Sequence, residues 1–154
     1  MDFEVLNGLL RPQSVAVIGA SNTPGKIGYL AVKNLIDCDY PGRVYPINPK
    51  GGETQGLTVY PTISDVPDPI ELVVIMVRAE AVPAALIACG ERGLRAVIVI
   101  TGGFREAGPE GAALEASLKD IAVRYGMRLI GPNCVGVMDS HLPLDTTFIT
   151  LMPE

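Results

Sequence analysis

The sequence predicts an α/β fold with three layers, in which helices cover both faces of a mainly parallel sheet. Five short apolar runs rich in β-branched residues alternate along the chain with segments of helical spacing. Strands that alternate with helices are joined by right-handed crossovers, which place neighbouring strands parallel. At 154 residues, of which 48% are hydrophobic, the chain is long enough to form one domain with a substantial core.

The predicted strands are short, apolar and bounded by turn residues, as buried strands are. They span residues 14–19, 43–48, 72–77, 96–100 and 127–131. Pro46 lies in the second of them. Because proline cannot donate a ladder hydrogen bond, it usually lies on an edge strand or at a strand end. We expect Pro46 near the end of its strand.

The predicted helices follow the first, third and fourth strands. They span residues 27–36, 79–90 and 109–125. Pro109 suits a first helical turn because it has no amide to leave unpaired, and Gly126 suits the C-terminal position that requires positive φ. Residues 60–71 contain too many prolines for regular structure, which predicts a loop or one short turn.

Composition excludes several classes of function. A formal net charge of -5 argues against general nucleic-acid binding, which depends on clustered Lys and Arg. The apolar run 72–77 is far too short to cross a bilayer, and the first residues lack the basic and then apolar pattern of a secretory signal. Cys38, Cys89 and Cys134 are odd in number and widely separated, which favours reduced thiols over disulfides or a metal site. We therefore expect a cytoplasmic protein.

Residues 15–28, VAVIGASNTPGKIG, place a glycine-rich loop between the first strand and the first helix. Free backbone amides and the helix dipole favour an anion at the mouth of such a loop. A plain tight turn without a ligand is the alternative. The triphosphate-binding loop requires four residues between its glycines and a hydroxyl residue after its lysine. Here five residues separate Gly19 from Gly25, and Ile27 follows Lys26.

The dinucleotide fingerprint fits no better. Ser21 stands where its second glycine should allow a pyrophosphate to approach the backbone. The fingerprint also requires an acidic residue after the second strand, where this chain has Lys50 in INPKGG. A lysine there suits a phosphorylated ribose, as in NADP or the 3′-phosphate ADP of coenzyme A, or it is simply a solvated loop residue. The loops ITGGFRE and GPNCVG are expected at the same edge of the sheet.

Four segments together resemble a known family. They are RPQSVAVIGASNTPGKIGYLAVKNL, VYPINPKGGETQGLTVYPTISDVPD, AVIVITGGFREAGPEG and RLIGPNCVGVM. In order and spacing they are similar to the coenzyme A (CoA)-binding domain of the NDP-forming acyl-CoA synthetases, relatives of the succinyl-CoA synthetase α subunit. Ligase-like lysine acetyltransferases carry the same domain. The resemblance runs from about residue 9 to about residue 148 and implies a Rossmann-like domain that binds CoA or acyl-CoA.

The resemblance also implies roles for individual residues. The phosphates of CoA would meet the loop after the first strand, the nucleotide end would meet Lys50, and the thiol end would lie near Asn133. Arg78 stands where the family usually has proline, and it would either add a phosphate contact or begin a surface helix. The candidate binding residues are Gly19, Ser21, Asn22, Thr23, Lys26, Asn48, Lys50, Val77, Arg78, Ile100, Thr101, Gly102 and Asn133.

No residue of this chain is expected to be catalytic. The family's phosphate-carrying histidine belongs to a following domain, whereas His141 matches no phosphohistidine motif and Cys134 has no neighbouring base in sequence. The resemblance implies a CoA-binding domain over residues 1–139 and a linker over residues 140–154, leading to a further ligase domain or subunit. The intact enzyme would convert acyl-CoA, ADP and phosphate to acid, CoA and ATP, or it would be a related acyltransferase. A stand-alone CoA sensor and an NADP-binding oxidoreductase domain are the alternatives, and pairing into a homo-oligomer stays open.

Overall fold

The computed structural model describes residues 3–150, and a five-stranded parallel sheet lies at its centre. The helices are α1 (Phe3–Leu10), α2 (Ile27–Asp37), α3 (Val82–Glu91) and α4 (Pro109–Tyr125). The strands are β1 (Ser14–Ile18), β2 (Arg43–Ile47), β3 (Gly52–Thr54), β4 (Leu57–Val59), β5 (Leu72–Ile75), β6 (Ala96–Val99), β7 (Arg128–Ile130), β8 (Met138–Asp139) and β9 (Leu144–Asp145).

The central sheet has the order β2-β1-β5-β6-β7, and each neighbouring pair is parallel. All five predicted strands are present, and β2 is an edge strand. Pro46 pairs with Val17 in the register of β1 and β2, and its carbonyl accepts a hydrogen bond from the Tyr60 amide. The prediction that Pro46 lies near the end of its strand is therefore confirmed, and the strand is at the edge of the sheet.

Two apolar clusters, one on each face of the sheet, make the fold three-layered. On one face α3 and α4 contribute buried residues such as Leu86 and Leu118. On the other face α1 and α2 contribute residues such as Leu9 and Leu35. Strands β1, β5 and β6 are buried on both faces, which explains their continuous apolar runs. The predicted α/β fold with a Rossmann-like layer order is confirmed.

The helix boundaries follow the predicted signals. Helix α4 begins at Pro109 and ends before Gly126, whose φ is +64°. The predicted helix over residues 79–90 starts instead as a 3-10 turn, Ala79–Ala81, and the α-helical part begins at Val82. Residues 60–71 form a loop with one 3-10 turn, Ile63–Asp65, as expected.

Helix α1, the hairpins β3–β4 and β8–β9 and the 3-10 turn Arg105–Ala107 were not predicted from the sequence. The second hairpin brings residues 144–149 back onto α2, where Leu144 is fully buried. The buried Asn34 amide donates hydrogen bonds to the carbonyls of Thr147 (2.9 Å) and Ile149 (3.0 Å). The described part of the expected linker therefore packs onto the domain, while the boundary after residue 139 stays a prediction and residues 151–154 lie outside the described residues.

None of the helices within residues 3–150 is long and apolar enough to cross a bilayer. The three cysteines are unpaired. Burial raises the pKa of the Cys89 thiol to about 12 and also raises the pKa of Cys134.

Candidate functional site

The candidate site lies at the carboxyl edge of the sheet, where the chain changes direction. From β1 the chain crosses to β2 on one side, and it later returns to β5 on the other side of β1. Ligands of open parallel sheets bind in the crevice that such a reversal creates beyond the strand ends. The loops after β1, β2, β6 and β7 reach this edge, as the sequence predicts, and the loop after β5 reaches it as well.

The loop after β1 is brought close to its neighbours by two glycines. Gly19 has a φ of +97°, and a Cβ on it would lie 2.5 Å from the Met76 carbonyl oxygen. A Cβ on Gly28, in the first turn of α2, would lie 2.0 Å from the Gly19 carbonyl oxygen. Only glycine permits this approach, so helix α2 starts directly above the end of β1. Gly19 is thus placed at the crevice by its backbone.

Residues 21–26 form a short turn that leads into α2. The Ser21 hydroxyl accepts a hydrogen bond from the Thr23 amide (3.1 Å), and the Lys26 amide donates to the Thr23 carbonyl (3.3 Å). No side chain caps the N-terminus of α2. The Tyr29 and Leu30 amides donate to the Lys26 carbonyl, so the Ile27 and Gly28 amides are the ones available to an external acceptor.

The loop after β2 closes a small cleft of about 130 Å³ against this turn. The cleft is lined by Ala20, Ser21, Asn22, Thr23, Lys26, Asn48, Lys50, Gly51, Glu53 and Val59. It therefore brings together six of the seven candidate residues from the first two loops, all except Gly19. The side-chain amide of Asn48 donates to the Ala20 carbonyl (2.9 Å), and the side-chain oxygen of Asn48 accepts a hydrogen bond from the Lys50 backbone amide (3.0 Å). Asn48 thus fixes one loop relative to the other.

The unpredicted hairpin β3–β4 forms one wall of this cleft. The buried Thr54 hydroxyl donates to the Ser21 carbonyl (3.0 Å), and the Gln55 amide donates to the Tyr29 carbonyl (3.1 Å). The carboxylate of Glu53 belongs to the same lining as Lys26 and Lys50. These two hydrogen bonds clamp the hairpin onto the first loop and helix α2. Sequence reasoning missed both this clamp and Glu53.

The chemistry of the cleft suits phosphate groups. Its donors are the Lys26 and Lys50 ammonium groups, the Ser21 and Thr23 hydroxyls and the Asn22 amide, whereas the Thr23 and Lys26 amides donate within the turn. Both lysines are exposed, and neither ammonium group makes a hydrogen bond or ion pair with another described residue in 3–150. Cations and oriented amides are the groups that hold phosphates in proteins. The residues present therefore fit the phosphate-bearing end of CoA.

Val77, Thr101, Gly102 and Asn133 form a second group of candidates at the ends of β5, β6 and β7. The buried Thr101 hydroxyl donates to the Val77 carbonyl (2.7 Å). The backbone amide of Asn133 donates to the Thr101 carbonyl (2.9 Å). A Cβ on Gly102 would lie 3.1 Å from the Asn133 side-chain oxygen. Ile100 is buried beneath this group. The three loops are therefore joined by hydrogen bonds, and Thr101 acts as a structural link.

Glu106 is a further polar residue of this group that sequence reasoning missed. One of its oxygens accepts hydrogen bonds from the Gly103 amide (2.5 Å) and the Phe104 amide (3.1 Å). These bonds, that from Gly103 first, lower the pKa of the Glu106 carboxyl. Its position three residues after Gly103 in GGFRE was the only available signal.

Three other residues have less to do with the cleft. Arg78 is exposed before the 3-10 turn, and its side chain makes no hydrogen bond or ion pair with the residues described. Both expectations for Arg78 therefore stay open. His141 lies in the β8–β9 turn with its side chain 93% exposed, beside Asp139. Cys134 is half-buried, and its thiol donates to the Val99 carbonyl (3.4 Å).

The sequence of this chain is similar to parts of two ADP-forming acetate–CoA ligases. The alpha subunit of ADP-forming acetate–CoA ligase II of Pyrococcus furiosus is 46% identical over 147 residues. ADP-forming acetate–CoA ligase of Methanocaldococcus jannaschii is 46% identical over 152 residues. The chain spans 32% of the first relative and 21% of the second.

The fold of this chain is also similar to part of a solved structure. The dinucleotide-forming acetyl-coenzyme A synthetase 1 of Ca. Korarchaeum cryptofilum superposes with a TM-score of 0.89 at 42% identity. The match covers 93% of this chain and 31% of that one. Among family models, the one described as a CoA binding domain matches residues 13–140. The chain therefore belongs to the CoA-binding domain family.

Proposed function

We propose that this chain binds CoA or acyl-CoA across the carboxyl edge of the sheet. One observation carries the proposal: the turn 21–26 and the loop bearing Lys50 converge on one cleft. The phosphates of CoA would contact this cleft, with Ser21, Asn22, Thr23 and Lys26 on one side. The pantetheine would extend past Val77 towards the second group of loops, with Asn133 near the thiol.

Two features of Ser21 favour CoA over NADP. Ser21 occupies the position where a dinucleotide fingerprint needs glycine for close pyrophosphate approach. The Ser21 carbonyl is also bonded to the hairpin β3–β4 through Thr54. The open glycine surface on which the pyrophosphate of a bound dinucleotide lies is therefore absent from this turn, whereas the pyrophosphate of CoA would be held by the Ser21 hydroxyl and the Lys26 ammonium group. NADP, which Lys50 also suits, is therefore the competitor that the experiment must include.

A titration with three ligands tests the proposal. We expect calorimetry and thermal unfolding to rank CoA above dephospho-CoA and both above NADPH. At about 100 times its dissociation constant, CoA should add roughly 2.7 kcal/mol to the free energy of unfolding. A folded chain whose melting temperature does not change at millimolar CoA would overturn the proposal. Tighter binding of NADPH than of CoA would favour the oxidoreductase alternative.

We further propose that the chain serves as the CoA-binding part of an ADP-forming acyl-CoA ligase. Its similarity to one third or less of each curated ligase supports a role beside further domains or subunits. A cytoplasmic location and catalysis by those other parts stay predictions of this proposal. We expect the isolated chain to form no ATP from acetyl-CoA, ADP and phosphate. A measurable rate of ATP formation by the pure chain would contradict the division of roles.

A further inference from the structure

The turn after β6, residues 101–104, is firmly anchored at both ends. At its start, the buried Thr101 hydroxyl bonds to the Val77 carbonyl. At its end, the Phe104 side chain is fully buried, and a Cβ on Gly111 would lie only 1.9 Å from the Phe104 carbonyl oxygen. Both anchors belong to the packed core. They leave the two glycines between them, Gly102 and Gly103, as the only part without a side chain to fix it.

Glu106 acts on this unfixed part. Its carboxylate accepts the amides of Gly103 and Phe104, at 2.5 Å and 3.1 Å. The α-carbon of Gly102 lies between two side chains, since a Cβ there would be 3.1 Å from the Asn133 oxygen and 3.3 Å from the Glu106 oxygen. Gly103 has a φ of +99°, a conformation that glycine alone adopts easily. One carboxylate therefore sets the direction of two peptide groups beside Asn133.

We propose that Glu106 is a positioning residue for the CoA site. It holds Gly102 and Gly103 in the conformation that meets the ligand, and it does so without touching the ligand itself. The inference rests on the proposed function, because it is CoA that would lie against this turn. Without the carboxylate the two glycines would sample several conformations, and the ligand would have to select one of them.

The core anchors make this role separable from a purely structural one. Since Thr101 and Phe104 are held by other contacts, loss of the Glu106 carboxylate should disturb the glycines and leave the fold intact. We expect Glu106→Ala to move the Gly103 and Phe104 amide resonances strongly, with the resonances of the core strands unchanged. Glu106→Gln retains an oxygen at the same place, and it should move these resonances less.

Affinity for CoA provides the second measurement. We expect Glu106→Ala to weaken CoA binding by about fivefold or more, because two charge-assisted hydrogen bonds that order the turn are lost. Glu106→Gln should restore part of the loss. Added formate, a small carboxylate, should restore part of it in Glu106→Ala and have no effect on the wild type. Glu110→Ala removes an exposed carboxylate from the first turn of α4 and serves as the matched control with unchanged affinity.

The outcomes separate this inference from the proposed function. If the wild type binds CoA and Glu106→Ala binds it equally tightly, the inference is overturned and the proposed function stands. Shifts spread over the core strands of Glu106→Ala would also overturn the inference, since they would show a general structural role. If the wild type binds no CoA, the proposed function fails and the link to CoA fails with it. The Gly103 and Phe104 resonances then still decide whether Glu106 holds the turn.

Discussion

At the scale of single residues, Gly28 determines how closely helix α2 approaches the end of β1. A Cβ at this position would lie 2.0 Å from the Gly19 carbonyl oxygen, and backbone on both sides leaves little room to yield. We expect Gly28→Ala to lower the free energy of unfolding by about 1–3 kcal/mol, as other overpacked sites do. Urea unfolding measures this change.

Gly8→Ala is the matched control for Gly28→Ala. It is also a helical glycine, but its added Cβ would lie 3.3 Å from the Ala96 Cβ and 3.4 Å from the Glu71 carbonyl oxygen. These contacts can be accommodated by small shifts. Equal losses of stability in the two variants would show that close packing at Gly28 does not determine how closely α2 approaches β1.

Lys50 is the residue expected to distinguish CoA from dephospho-CoA. We predict that Lys50→Ala weakens CoA binding about tenfold, because a charge-assisted contact to the 3′-phosphate is lost. Its effect on dephospho-CoA should be small. Calorimetry with both ligands measures the difference, and Lys119→Ala, at an exposed position of helix α4 that does not line the cleft, controls for the loss of one positive charge. An equal loss of affinity for both ligands would contradict the role of Lys50.

At the scale of elements, the hairpin β3–β4 connects the two halves of the cleft. We expect Thr54→Val, which keeps the shape and removes the bond to Ser21, to cost about 1 kcal/mol of stability. It should also weaken CoA binding and speed hydrogen exchange in residues 52–59. Thr58→Val, at an exposed position of the same hairpin, is the control. Unchanged exchange and affinity in Thr54→Val would show that the clamp is dispensable.

The same hairpin shows where prediction from sequence stops. The five central strands and three of the helices could be predicted because their periodicity and turn residues are local signals. The hairpin turns at Gln55 and Gly56, which both have positive φ. The usual signal for such a turn is Asn-Gly or Asp-Gly, and glutamine there gives none.

The candidate site divides in the same way. Its loops could be predicted at one edge, because parallel strands end together. The bonds from Thr54 to Ser21 and from Glu106 to Gly103 could not be predicted. The first joins residues that are distant in sequence, and the second depends on the fold of a glycine turn. Both contacts follow from tertiary geometry rather than from local propensity.

At the scale of the whole molecule, the segment after residue 139 bears on where this domain ends. Residues beyond 139 contribute to the apolar cluster formed with α1 and α2. Leu144 is 1% exposed within this cluster, and Leu142 and Phe148 pack against the cluster. The Asn34 amide ties Thr147 and Ile149 to the same face. The cluster is thus completed by the segment that sequence reasoning treats as a linker.

A pair of truncations tests this point. We expect the chain 1–139 to be less stable than the chain 1–150 by about 2 kcal/mol or more, since burial of a leucine alone contributes about that much. Asn34→Ala in the chain 1–150 should leave the core intact but speed hydrogen exchange at residues 144–149. Urea unfolding and exchange measure the two effects. Equal stability of the two truncated chains would place the end of the domain at residue 139, and a deficit in 1–139 would place it after the β8–β9 hairpin.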